Sequence, residues 1–241
     1  MIKVEVANIF KSFERPDGKL SVLEDVTIEL GENEFVSIIG PSGCGKSTLL
    51  RTIAGFTGID SGRISVSGEI SYLRQSSTLM PWRNILSNVL LPIEIRSGRK
   101  PEYTDELKAI FQEFGLQGFE GSMPGEISGG MAKRAALLRT YLEDRDILLL
   151  DEPFSSLDAI TRKTMGRWLL EVWNKHKKSV LFVTHDIEEA LLLSDRIYIM
   201  DNLPSKILKT VLPAMGRPRS PESVYEKQFI DQRKQIEDLL I

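Results

Sequence analysis

Residues 37–50, SIIGPSGCGKSTLL, constrain the fold of this chain more than any other stretch. The apolar run Phe35–Ile39 leads into Gly40-Pro41-Ser42-Gly43-Cys44-Gly45-Lys46-Ser47, and a helical pattern follows. This octapeptide fits G-x-x-x-x-G-K-[ST] in its required context, with a strand before it and a helix after it. Glycines let the backbone curl so that successive N–H groups point at one phosphate, and the helix N-terminus adds partial positive charge. The stretch therefore predicts a phosphate-binding loop between a strand and a helix.

Two side chains of this loop carry the predicted chemistry. Lys46 can reach the β and γ phosphates of a nucleotide, and the Ser47 hydroxyl can ligate Mg²⁺. We expect the nucleotide-binding residues to run from position 40 through Thr48. Cys44 is the only cysteine, so no intrachain disulfide can form, and we interpret it as a small loop residue and not as a nucleophile.

The rest of the chain alternates strand and helix patterns. Alternating apolar residues at 2–6 and 25–30 predict two half-buried strands of an antiparallel edge sheet. Thr104 can cap a helix that ends at Gly115, a long helix is predicted over residues 157–175, and Ser220-Pro221 is expected to open the last helix. Strands that alternate with helices favour an α/β fold with a parallel sheet.

Composition sets limits on the class of protein. The chain has 41% apolar residues, 27% charged residues and a formal net charge of -3, so its balance does not suggest a nucleic-acid partner. No apolar run approaches the roughly 18 residues of a membrane span, and the N-terminus lacks the apolar block of a signal peptide. We therefore expect a soluble protein, whose membrane role would come through a partner.

A second motif, ILLLDE, ends in two carboxylates. Asp151 falls at the carboxyl end of a predicted buried strand, where it can hold Mg²⁺ opposite Ser47. Glu152 follows directly and can orient or deprotonate an attacking water molecule. The guanine-reading motif N-K-x-D is missing, because residues 174–177 read Asn-Lys-His-Lys, and a GTPase is disfavoured.

A third motif, ISGGMAKR, predicts a second anion-binding helix end. Ser128, Gly129 and Gly130 stand where the helix begins, so that backbone N–H groups and a hydroxyl point at one place. If the Gly40 loop and the Ser128 helix end of one monomer both bound the same phosphate, one of these two anion-binding sites would be redundant. A head-to-tail pair of chains removes the redundancy, since each nucleotide would then lie between the Gly40 loop of one chain and the Ser128 loop of the other.

Together GPSGCGKST, ISGGM, ILLLDEPFSSLD and VTHD, in this order, resemble the nucleotide-binding subunit of an ATP-binding cassette (ABC) transporter. The resemblance implies a P-loop NTPase fold with a RecA-like parallel sheet core, an antiparallel β edge sheet and an α-helical sub-lobe. It implies an ABC ATPase domain over residues 2–230, with the sub-lobe at about 84–142, and a C-terminal helical tail over 231–241. ATP and Mg²⁺ are the implied cofactors.

The resemblance also implies roles for further residues. Gln75 would contact Mg²⁺ and the attacking water, residues 155–158 would cross the dimer, and His185 would contact the γ-phosphate. His185 ends a predicted strand next to the one that carries Asp151, so both should meet where α/β sheets bind ligands. Phe13 would stack on adenine. Met131 departs from the glutamine usual in the family, and we expect a weaker polar contact there.

The segment LMPWRNILSNV resembles importer subunits of the nitrate, taurine, aliphatic sulfonate and pyrimidine-precursor group. Residues 79–82 should expose apolar surface that suits a short helix of a membrane subunit. The expected function is thus ATP-driven import of a small polar or anionic solute at the cytoplasmic face of the cell membrane. A permease would bind near Gln75 to Trp82, a second copy would complete the dimer, and a solute-binding protein would act indirectly.

Two other classes stay open at this point. A non-transport ABC ATPase acting on nucleic acid or ribosomes usually carries a coiled-coil insertion or tandem cassettes, and neither pattern is present. A small-molecule kinase could use the phosphate loop alone, but it would leave ISGGM and His185 unexplained.

Overall fold

The computed structural model of the protein describes residues 1–16, 18–75, 79–99, 101–155, 157–217 and 219–240. Its strands are β1 (Ile2–Arg15), β2 (Gly18–Gly31), β3 (Phe35–Ile39), β4 (Ser61–Val66), β5 (Ile70–Leu73), β6 (Ile147–Asp151), β7 (Ser179–Val183), β8 (Arg196–Met200) and β9 (Ile207–Val211). Its α-helices are α1 (Lys46–Ile53), α2 (Ile85–Val89), α3 (Leu91–Ser97), α4 (Asp105–Glu113), α5 (Gly129–Leu142), α6 (Ala159–His176), α7 (Ile187–Leu193) and α8 (Lys227–Leu240).

The larger sheet has the order β5-β6-β7-β3-β8-β9 and is parallel except for β9, which runs antiparallel to β8. The predicted parallel sheet with β3 inside it is confirmed. Asp151 at the end of β6 pairs with Val183 at the end of β7, so the two strands finish side by side. The loop that follows β3, the acids that follow β6 and His185 after β7 therefore meet at one edge of the sheet.

A second, antiparallel sheet has the order β2-β1-β4. It confirms the predicted edge sheet, but its two long strands extend well beyond residues 2–6 and 25–30. The reason is a pair of irregularities that interrupt the alternation: Asn8 and Asp25 both have positive φ, and the Asn8 amide donates to the Asp25 carboxylate at 2.7 Å. The long hairpin reaches the carboxyl edge of the larger sheet.

Apolar strands of the larger sheet are buried on both faces. In β6, Leu148 and Leu150 pack with the helical layer formed by α2 to α6, whereas Ile147 and Leu149 pack against α1 and the antiparallel sheet. Burial on both faces explains why this strand shows no polar alternation. Within the described residues, no helix is both long and apolar enough to cross a bilayer.

The C-terminal region differs from the sequence prediction. Ser220-Pro221 opens a short 3-10 helix, Pro221–Tyr225, and not the last α-helix. Glu226 then takes an extended conformation, with ψ of 140°, before α8 begins at Lys227. α8 runs from Lys227 to Leu240, and its buried Phe229 packs beside α7.

Candidate active site

A cleft of about 530 Å³ opens at the carboxyl edge of the larger sheet, between the phosphate loop and the hairpin of β1 and β2. Its volume suits a nucleotide, since small-molecule sites occupy roughly 300–1,000 Å³. The cleft is lined by Phe13, Arg15, Leu20, Val22, Ser42, Gly43, Gly45, Lys46, Ser47, Thr48, Arg51, Gln75, Glu152 and Leu203. Most of the predicted nucleotide-binding loop thus faces one cavity.

The phosphate loop takes its shape from glycines that a larger residue cannot replace. Gly45 has φ of +106°, and a Cβ there would lie 2.9 Å from Val22. At Gly40, a Cβ would lie 2.7 Å from the carbonyl oxygen of Met200. The first glycine thus allows close packing on β8, and Gly45 sets the left-handed turn into α1.

Lys46 is held inside the loop by main-chain oxygens. Its Nζ donates to the carbonyls of Gly40 and Pro41, each at 2.8 Å, and only 4% of the residue is exposed. Its third donor makes a longer contact, at 3.9 Å, with Cys44 Sγ, a weak acceptor. All three partners are neutral, so the charge of the ammonium is left for a phosphate oxygen. Cys44, in contrast, is buried in the hydrophobic core beneath the loop and is not part of the cleft lining.

Ser47 and Asp151 lie together as predicted, with the serine hydroxyl donating to Asp151 Oδ1 at 2.8 Å. Tyr72 on β5 donates its phenol to Asp151 Oδ2 at 3.0 Å, a contact that sequence reasoning missed. Burial, with the nearby Asp151 charge, raises the pKa of Tyr72 to about 12, so the phenol stays a donor. Hydroxyl and carboxylate oxygens are the ligands that Mg²⁺ prefers, usually with one or two from protein, and this pair fits it.

Glu152 follows β6 in the left-handed region, with φ of +45°. Its main-chain N–H donates to the carbonyl of Val183 at 3.0 Å, which fixes the turn against β7. Gln75 Nε2 donates to Glu152 Oε2 at 3.1 Å, and His185 Nδ1 lies 3.7 Å from the same oxygen. The structure thus brings the three predicted catalytic side chains together at the edge of the cleft.

The His185 loop is braced from behind by α7. The Thr184 hydroxyl donates to Glu189 at 2.6 Å and accepts from the N–H of Asp186 at 3.0 Å. Burial raises the pKa of Glu189 to about 7, although the Thr184 hydrogen bond opposes that rise. His185 itself remains 44% exposed and faces the solvent beside Glu152.

Phe13 lies on the opposite side of the cleft, near the tip of the hairpin. It pairs with Leu20 across the two strands, and both line the cleft. The Phe13 ring is 40% exposed, and Lys11 Nζ lies 5.0 Å from its centroid. The ring is therefore an open apolar surface at the cleft, as the prediction for adenine stacking requires.

The Ser128 loop lies apart from this cleft. Ser128 caps α5 by accepting from the N–H of Met131 at 3.2 Å, and both Ser128 and Gly129 are exposed. Gly130 is closer to the rest of the chain, where a Cβ would lie 3.2 Å from Thr161. No residue of this trio lines the described cleft of its own chain.

The segment expected to cross the dimer, residues 155–158, includes Ser156, which lies outside the described residues. Asp158 caps α6, with Oδ1 accepting from the N–H groups of Ile160 and Thr161 at 3.1 and 3.0 Å. The helix consequently begins at Ala159, two residues later than predicted, because Asp158 satisfies its first free N–H groups.

The sheet order and the cleft define a P-loop nucleoside triphosphatase. Comparison with known proteins narrows the class: the ABC transporter family matches residues 23–155. The chain belongs to the ABC transporter family, whose ATP-binding proteins are ATPases. The resemblance drawn from the motifs is thereby confirmed.

Two relatives and one solved structure illustrate the similarity. The formylaminopyrimidine import ATP-binding protein of Halalkalibacterium halodurans is 44% identical over 224 residues, covering 91% of this chain and 90% of that protein. The aliphatic sulfonates import ATP-binding protein of Bacillus cereus is 40% identical over 242 residues, covering 97% and 94%. A solved dimeric bacterial ABC transporter cassette shares the fold, with a TM-score of 0.75 at 24% identity, covering 88% of this chain and 100% of that one.

Proposed function

We propose that this chain is the ATP-hydrolysing subunit of an importer for a small polar or anionic solute. One observation carries the enzymatic part. Glu152 shares a cleft with Lys46 and with Ser47, whose hydroxyl is bonded to Asp151, and Gln75 and His185 contact Glu152. A phosphate cradle, a cation site and a candidate base therefore lie within one volume, as phosphoryl transfer to water requires.

In the proposed reaction, Phe13 stacks on adenine and the N–H groups of the phosphate loop receive the phosphates. Lys46 binds the β and γ phosphate oxygens, and Ser47 with Asp151 would hold Mg²⁺, which when bound neutralises charge on those phosphates. Gln75 orients the attacking water and His185 contacts the γ-phosphate. Glu152 accepts the proton of that water as its oxygen attacks phosphorus, and ADP leaves with the electron pair of the broken bond.

The second half of each site is proposed to come from another copy of the chain. The exposed Ser128 and Gly129 present a capped helix end to the solvent, and their own cleft does not use it. The dimeric state of the related solved cassette supports this arrangement by analogy. In a head-to-tail pair, each α5 N-terminus would donate its free N–H groups to the partner's nucleotide.

This composite site makes the specific rate depend on chain concentration. ATP hydrolysis, followed as phosphate release in dilute protein, is expected to rise with about the square of concentration while monomers dominate, because two chains form each site. Above the dimer dissociation constant the rise becomes linear. A rate strictly proportional to concentration down to nanomolar protein, where sizing shows monomers, would contradict the composite site.

The proposed permease surface is a groove of about 580 Å³ beside α2, with Trp82 at its rim. Trp82 is 74% exposed, whereas Asn88 is fully buried and fixes the turn that presents it. Asn88 accepts from the N–H of Met80 at 2.6 Å and donates to the carbonyls of Met80 and Arg83 at 3.0 and 2.7 Å. Residues 76–78 of the predicted contact lie outside the described residues.

A rigid turn that displays one large aromatic side chain is typical of a protein–protein anchor. Trp82→Ala is expected to reduce co-purification of a polytopic membrane protein by about tenfold or more, since anchor residues contribute roughly 2 kcal/mol or more. Quantitative mass spectrometry of detergent-solubilised complexes measures this. Tyr225→Ala is the matched control, because Tyr225 is 78% exposed but lies outside the groove. Equal recovery with both variants would argue against this surface.

The nature of the solute is proposed from the relatives named as import proteins for formylaminopyrimidine and aliphatic sulfonates. Recognition of the solute belongs to the permease and to a solute-binding protein, and this subunit supplies the energy. Since ATP is the substrate, we place the chain at the cytoplasmic face of the membrane.

A further inference from the structure

Lys133 is a buried cation that the proposed reaction does not use. It lies on α5, just beyond the Ser128 cap, and is only 7% exposed. Burying a charge is unfavourable unless partners compensate it, so a lysine at such a place requires an explanation. Its Nζ donates to the main-chain carbonyl of Gln75, which is far away in sequence and lines the cleft.

We infer that Lys133 is a positioning residue that holds Gln75 against Glu152 and links this contact to α5. The inference rests on the proposed function, because it requires Gln75 and Glu152 to act in hydrolysis. The path is continuous: Lys133 binds the Gln75 carbonyl, and the Gln75 side chain donates to Glu152 Oε2 at 3.1 Å. One end of this path is the Lys133 ammonium on α5, and the other is the candidate base Glu152.

The surroundings explain why a charged donor suits this position. In the described part of the chain no carboxylate lies within ion-pair distance of Lys133, so its direct partner is the carbonyl of Gln75. Burial lowers the pKa of Lys133, whereas the charges of Glu152 and Asp151 oppose that fall. The same two carboxylates thus favour a cation at the point where Gln75 needs a strong donor.

The position of Lys133 on α5 connects its contact with Gln75 to the Ser128 end of the same helix. Ser128 and Gly129 begin this helix, and Lys133 follows within its second turn. A rigid helix transmits a displacement of its N-terminus to a residue one turn away. Engagement of the Ser128 end by a second copy would therefore shift the carbonyl of Gln75 through Lys133, and with it the amide that contacts Glu152.

A double-mutant cycle tests this inference. The variants are Lys133→Met, which removes the donor at similar volume, and Lys133→Gln, which keeps a shorter neutral donor. Each is made in the parental chain and in Gln75→Ala, with full-length protein at saturating ATP and Mg²⁺. The matched control is Lys108→Met, because Lys108 is exposed on α4 and pairs only with Asp105 among the described residues. Phosphate release gives kcat, equilibrium binding of ATP gives Kd, and circular dichroism verifies folding.

Lys133→Met is expected to lower kcat about tenfold and Lys133→Gln about threefold, while the Kd for ATP stays within about twofold, because Lys133 is outside the cleft lining. In the Gln75→Ala background neither change should lower kcat further. If Lys133→Met does not fold, the cycle is run with Lys133→Gln.

Two results would overturn the inference in different ways. The first is that the Lys133 variants lower kcat equally in the parental and Gln75→Ala backgrounds, while Gln75→Ala is itself impaired. This result would show that Lys133 does not act through Gln75, and it would leave the proposed role of Gln75 intact. The second is a parental kcat for Gln75→Ala. This result would show that Gln75 has no role in hydrolysis, so the inferred role of Lys133 would fail too. A parental kcat for Lys133→Met would likewise show that the tether does not serve hydrolysis.

Discussion

Glu152→Gln is expected to lower kcat for ATP hydrolysis by about 10²- to 10⁴-fold, the range that a general base contributes. The amide cannot accept the proton of the attacking water. It keeps the shape of the carboxylate, so its contacts with Gln75 and His185 can persist and the cleft stays intact. ATP binding should therefore survive the loss of turnover, and a dimer closed on ATP should accumulate.

Two measurements separate these effects. Phosphate release measures kcat, and sizing with light scattering in ATP measures the mass, which should double relative to the nucleotide-free protein. Glu237→Gln is the matched control, because Glu237 is a partly exposed carboxylate of α8 that pairs with Arg233 and does not line the cleft. Parental turnover by Glu152→Gln would show that another group accepts the proton.

Lys46→Ala is expected to weaken ATP binding by about 10²-fold. Hydrogen bonds from a charged donor contribute roughly 1.5–3 kcal/mol, and this ammonium is directed into the cleft by two carbonyls. The substitution also leaves the oxygens of Gly40 and Pro41 without this donor, so a lower unfolding temperature in the absence of nucleotide is a second expected effect.

Titration with a fluorescent ATP analogue measures the affinity. Lys175→Ala serves as the control, since Lys175 is an exposed lysine that pairs with Glu113 on the helical layer. An unchanged dissociation constant for Lys46→Ala, in protein whose folding is verified by circular dichroism, would argue against binding of the phosphates at this loop.

The sequence predicted those parts of the site that local patterns specify. The spacing of the glycines before Lys46 is typical of a phosphate-binding loop between a strand and a helix, and the structure places these glycines between β3 and α1. The neighbouring ends of β6 and β7 were also predictable. Asp151 ends one parallel strand and His185 follows closely after another, and such strands finish at the same edge of a sheet. The bulged hairpin was only partly predictable, since Asn8 and Asp25 break its alternation.

Contacts between distant segments could not be predicted in this way. The Tyr72 phenol meets Asp151 because β5 pairs with β6, and the pattern of four residues in β5 was too short to indicate a strand. Lys133 reads as one more polar residue of a helix until its carbonyl partner is known. β4 was not predicted for a different reason: its residues are mostly exposed, so the sequence shows only a short alternation of apolar and polar residues there.

A main-chain hydrogen bond from Glu152 to Val183 fixes one part of this site, whereas Gln75 lacks such an anchor to the larger sheet among the described main-chain bonds. That bond ties the backbone of Glu152 to the larger sheet. The distance between Glu152 and the His185 loop is therefore set by the pairing of β6 with β7. Gln75 belongs to the cleft wall next to the helical layer instead. In the proposed reaction, ATP hydrolysis can therefore be controlled by moving the Gln75 amide away from Glu152, while Glu152, the proposed base, stays in place.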